Sequence, residues 1–89
     1  MFRRGWEPNS TGELVFRTIG FGLWRYIVYA KAKGSGVAFV QPSGTPGARI
    51  TSDRAFADRE AAYAWALTQL ETVHVQFMAY LDAQAGSGE

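Results

Sequence analysis

Between Ala61 and Leu81 the chain has neither glycine nor proline, and Glu71 is its one formally charged residue. Tyr63, Leu67, Leu70, His74, Phe77 and Leu81 recur at intervals of four and three, which keeps them on one face of a helix. Ala62, Ala66, Val73 and Tyr80 widen that face, and Ala61, Trp65, Thr68, Thr72, Val75 and Ala79 form a second stripe behind it. The spacing predicts one long helix from Asp58 to about Ala83. Asp58 suits the N-cap, where its carboxylate accepts from first-turn amides and complements the helix dipole. Glu60 adds negative charge to that turn, and Phe56 can pack back beneath the helix. A helix that covers one side of a sheet shows water a row of Lys, Glu and Arg. This one does not, which predicts burial on more than one side. It is no membrane span, because Thr68, Gln69, Glu71, Thr72, His74 and Gln76 sit at its middle.

Upstream, the periodicity changes to two. Leu14, Phe16 and Thr18 alternate with Val15, Arg17 and Ile19, predicting a strand over residues 13–19, followed by a turn at Gly20-Phe21-Gly22. Residues 23–33 give the strongest strand pattern. Trp24, Tyr26, Val28, Ala30 and Ala32 point one way, and Leu23, Arg25, Ile27, Tyr29, Lys31 and Lys33 the other. The charges all fall in the second set, so the first is expected to face the helix. A third strand is predicted over 37–41, and a short edge strand over 48–51. Pro42-Ser43-Gly44-Thr45-Pro46-Gly47 reads as an exposed loop. At the N-terminus, Phe2 and Trp6 are expected to tuck against the domain before the turn residues Pro8-Asn9-Ser10-Thr11-Gly12. The fold expected is α+β: a three- or four-stranded antiparallel sheet packed against one long C-terminal helix, β-β-β-(β)-α. Residues 1–85 form one domain in this reading, and residues 86–89 a flexible tail.

Composition narrows the chemistry. A chain of 89 residues without cysteine has no disulfide, no thiolate metal site and no thiol nucleophile. His74 is the only histidine and lacks companions at ligand spacing, so it is read as a core or interface residue, with no metal and no cofactor. Asp53, Asp58 and Glu60 cluster where a helix start wants them, serines lack a partnered base, and Gly34-Ser35-Gly36 lacks a phosphate-loop ending. No catalytic site is expected. The arginines near the N-terminus are not followed by an apolar run, which predicts a cytoplasmic protein without a secretory signal.

Charge is unevenly placed: residues 1–50 carry seven basic and two acidic residues, and residues 51–89 carry two basic and six acidic. Arg17, Arg25, Lys31 and Lys33 are assigned to the outer sheet face with Ile27 and Tyr29, and Arg49 lies nearby in the chain. Such a face can meet a protein partner or nucleic-acid phosphates, and it is also where a half-buried sheet carries its ordinary charges.

Trp24-Arg25-Tyr26-Ile27-Val28-Tyr29, a turn and short strand, then Ala55-Phe56-Ala57-Asp58-Arg59-Glu60-Ala61-Ala62-Tyr63-Ala64-Trp65-Ala66 resembles the arm-type DNA-binding domain of tyrosine-family phage integrases. The resemblance covers roughly residues 23–66. It implies a three-stranded sheet braced by one helix, with the sheet as the DNA-contacting surface. The strand pair, Pro/Gly loop and Ala-rich helix are also similar to HicB-type antitoxins. By elimination, the leading reading is a non-catalytic protein–protein interaction module, a small inhibitor or regulator of anti-CRISPR or antitoxin type from a bacterium, phage or mobile element. DNA binding by the sheet face is the alternative.

Helix length adds an expectation of self-association. About 26 helical residues span ~39 Å, whereas a strand of six or seven residues covers ~20–23 Å. The far end of the helix is therefore expected to overhang and to pair with a second copy through Trp65, Thr72, Val75, Phe77, Met78 and Leu81, with Phe77 and Leu81 near the centre.

Overall fold

The computed structural model of the chain describes residues 5–32, 36–44 and 47–87. Five strands and one helix follow in order: β1 (Glu7–Pro8), β2 (Leu14–Phe21), β3 (Trp24–Lys31), β4 (Phe39–Pro42), β5 (Ile50–Thr51) and α1 (Arg59–Ser87). The strands form one antiparallel meander in the order β1-β2-β3-β4-β5, and α1 packs on one face of it. The α+β class is as the periodicity predicts. The additional strand is β1, whose Glu7–Pro8 pairs with Phe16 and Val15 where the sequence reads as the start of a turn.

The β2–β3 hairpin is longer than expected, because Gly20 and Phe21 stay in the ladder opposite Arg25 and Trp24. The turn is the two-residue Gly22-Leu23, with Gly22 at φ 64°, a conformation that favours glycine at the first place of a tight hairpin. Leu23 stands fully exposed at its tip. Eight-residue strands reach about 27 Å. That extra length carries the sheet further along the helix than the expectation allowed.

Tyr26, Val28, Ala30, Val40 and Pro42 point from the sheet into the core, against Ala62, Ala66, Leu70, Val73 and Phe77 of α1. The buried helix face is thus rotated from the expected stripe: Leu67 is 45% exposed, while Ala66 and Val73 are fully buried. Phe77, expected at the centre of a dimer interface, is a core residue only 2% exposed, with Trp24, Tyr26 and Tyr80 in ring contact. Met78 and Leu81 also lean on the core, half-buried, and Trp65 packs against Phe56 at 5.8 Å between ring centroids. Of the expected interface residues, Thr72 and Val75 are open to solvent. Apart from Trp65, the second stripe is therefore exposed: Ala61, Thr68, Thr72, Val75 and Ala79 all face solvent.

Local signals at the helix start hold. The Ala61 N–H donates to Oδ1 of Asp58 at 2.9 Å, the N-cap geometry. Trp6 tucks against this end: its indole N–H donates to Glu60 and its ring meets Tyr63 edge-on. The helix continues to Ser87, beyond the end expected near Ala83 and into the residues expected to form a tail. Phe2 lies outside the described residues. No helix among the described residues is long and apolar enough to cross a membrane.

Candidate functional site: the uncovered face of the sheet

The face opposite α1 carries a row of aromatic rings at right angles to the strands. Direct cross-strand partners share a face, so the register Glu7↔Phe16↔Tyr29↔Phe39↔Thr51 runs as a single row across all five strands. Phe16 and Tyr29 lie 5.8 Å apart between ring centroids and tilted by 42°; Tyr29 and Phe39 stack at 4.7 Å with 18° between their planes. Arg49 extends the row, its Cζ 4.6 Å from the centre of the Phe39 ring. The guanidinium is fixed by its Nε–H, which donates to the Gln41 side chain at 3.0 Å.

A neighbouring row brings Thr18, Ile27 and Gln41 onto the same face. Arg25 stands beyond it opposite Gly20, and Lys31 lies at the other end opposite Leu14. Phe16, Ile27, Tyr29 and Phe39 are each half-buried, and no described element covers them. Among the described residues the one ion pair is Arg54–Asp53, so Arg25, Lys31 and Arg49 have no carboxylate partner there.

The sequence places Arg25, Tyr29, Lys31 and Arg49 on this face, and the structure does the same. Arg17 is a correction. It pairs with Val28, on the helix side, and its Cζ lies 3.9 Å from the centre of the Tyr63 ring, a cation–π contact. Its long aliphatic stem lets the side chain lie along the covered face while the charge stays near the rim. Lys33 lies outside the described residues. Phe16 and Phe39 were not assigned to the site from sequence. The signal that would have found them is register: each is the cross-strand partner of Tyr29.

The geometry is that of a docking surface. Aromatic rings and arginine dominate the well-packed centres of protein interfaces. Here the rings hold one another in place, which lowers the entropy lost on binding. With Phe39 already engaged by Tyr29 and Arg49, the ring faces are largely taken, and edges are what the row offers a partner. Among the described residues no group of three or more His, Cys, Asp or Glu could hold a metal ion.

Comparison with known protein families, with curated proteins and with solved structures gives no match to this chain.

Proposed function

We propose that this chain is a non-catalytic protein–protein interaction module, a small inhibitor or regulator that works in the cytoplasm. It docks its partner on the uncovered sheet face. The observation that supports this is the Phe16–Tyr29–Phe39 row with Arg49 over its end, on a face that no described element covers. Contiguous apolar surface of this kind marks interaction sites. A solvated sheet face otherwise shows Thr, Lys and Glu where this one shows rings. The anti-CRISPR-like and antitoxin-like classes fit a small domain that acts by covering part of a larger protein.

The test is parallel capture from the native host with the wild-type chain, with Tyr29→Ala/Phe39→Ala, and with Val75→Ala as a helix-face control. The proposal expects a protein retained by wild type and Val75→Ala and lost by the sheet-face variant. A partner retained equally by all three would refute it.

A second reading, nucleic-acid binding, rests on Arg25, Lys31 and Arg49, which have no carboxylate partner among the described residues, and on the integrase-like pattern. Phosphate contacts would make affinity fall steeply with salt, at a slope of about 0.9 per contact on duplex DNA. Three such cations are few for tight binding, and the mutual stacking of Tyr29 and Phe39 leaves little ring face for bases. Absence of duplex and single-strand binding at low salt disposes of this reading.

A further inference from the structure

The two edges of the sheet are not equivalent. In an antiparallel ladder, residues alternate between pairs that exchange backbone hydrogen bonds and pairs whose N–H and C=O point away. On the first edge the Asn9 N–H donates to the Leu14 carbonyl, which makes Pro8 the residue whose backbone points outward. Proline has no N–H, so that edge offers no donor there. On the last edge the Ser52 N–H donates to the Ala38 carbonyl at 2.8 Å. By the same alternation Thr51, opposite Phe39, directs both its N–H and its C=O outward. The edge beside it is open: a groove of about 690 Å3 runs along it, bounded by Ile50, Phe56, Trp65, Thr68 and Gln69. No described residue pairs with Thr51 on that side.

We propose that β5 pairs edge to edge, antiparallel, with β5 of a second copy of this chain, in the register that sets Thr51 opposite Thr51. Charge complementarity selects the occupant. That register brings Arg49 of each copy toward Asp53 of the other, each two residues from Thr51 and just outside β5, so two oppositely charged pairs flank the two-fold axis. Asp53 is free to turn to them: its contact with Arg54 at 3.4 Å joins side chains that are 86% and 72% exposed, a pairing of little strength. Backbone recognition comes from the Thr51 donor and acceptor, satisfied twice by symmetry. The same register prolongs the row Phe16–Tyr29–Phe39–Thr51 into Thr51–Phe39–Tyr29–Phe16 of the second copy, so the two uncovered faces become one surface. Phe77 takes no part, in contrast to the helix-mediated pairing expected from sequence.

The experiment is light scattering across a rising concentration series on the wild-type chain, Thr51→Pro, Arg49→Asp, Asp53→Arg and the exchange Arg49→Asp/Asp53→Arg, with dichroism as the check of folding. Wild type is expected to approach twice the chain mass. Thr51→Pro and each single charge variant should weaken association by roughly tenfold or more, since each change acts twice in a symmetric pair. The exchange variant should recover wild-type association. A wild type monomeric at every concentration overturns the proposal. So does a dimer indifferent to Thr51→Pro, or an exchange variant no tighter than the single ones. Should Thr51→Pro fail to fold, the charge variants decide alone, because Arg49 and Asp53 are exposed. A monomer whose Thr51 amide becomes protected from exchange only when a foreign extended peptide is added would give the edge to another protein, and would equally overturn pairing between copies.

Discussion

The Tyr26 hydroxyl lies 2.6 Å from Nδ1 of His74, joining the centre of β3 to the middle of α1. The two rings meet edge to face, with Phe21, Trp24 and Phe77 around them. With the imidazole proton on Nε2, the phenol donates and Nδ1 accepts. This explains the chain's one histidine without invoking a metal or a base: it satisfies the only polar atom of a tyrosine side chain that is itself fully buried. Tyr26→Phe keeps the packing and removes the bond, and is expected to cost about 0.5–1.5 kcal/mol in urea unfolding.

Alkaline pH should act at the same place. Burial pushes the Tyr26 phenol above its ordinary value of 10.0. Between the unfolded pKa and the higher folded one, the folded chain keeps a proton that the unfolded chain has released. This contribution to stability is therefore complete below about pH 10 and is lost as pH rises through the folded value. Unfolding midpoints measured on either side of pH 10 should fall for wild type, and fall less for Tyr26→Phe. Equal slopes in the two proteins would show that Tyr26 is not the group responsible.

Phe77 and Val75 are two residues apart and differ in kind: one is 2% exposed, the other 61%. Phe77→Ala should destabilise by about 3–5 kcal/mol, the usual cost of emptying an aromatic core site. Val75→Ala should change stability by no more than about 0.5 kcal/mol. Comparable losses at the two positions would mean that the second helix stripe is covered after all.

Ser52 repairs a break in the ladder. Its hydroxyl accepts from the Ala38 N–H at 3.0 Å and donates to the Arg54 carbonyl at 2.7 Å, where the chain bends out of β5 before Phe56 rejoins Gly36. Ser52→Ala strands a buried amide and should cost about 1–3 kcal/mol in denaturant unfolding. It should also hasten hydrogen exchange at Ala38. Unchanged exchange there would contradict the assignment.

Much of this fold was legible because local signals agreed with one another. The gap in Gly and Pro, the Asp58 cap and the period of Trp24–Lys31 each pointed to an element that formed. What escaped was set by register and reach. Arg17 reads outward because charge is usually solvated, yet Val15 and Ile19 beside it fix the parity of β2, and Tyr63 receives the guanidinium. Phe77 reads as overhanging because Gly20 and Phe21 resemble a turn, yet both stay in the ladder and lengthen the sheet by several ångströms. Phe16 escapes the site because an outward Arg17 turns its strand neighbour inward, and Phe39 because the short strand over 37–41 holds no charge to mark its outer face. Only pairing across strands shows that both flank Tyr29 on the open face.

The central claim, that the uncovered sheet face is where a protein partner docks, is tested most directly by site-specific photocrosslinking in the native host. A photoreactive phenylalanine analogue replaces Tyr29 in one version of the chain and Thr72, on the exposed helix stripe, in another. A discrete protein adduct at position 29 and none at position 72 is the expected result. An adduct at position 72 alone, or nucleic acid in place of protein at position 29, would contradict the claim.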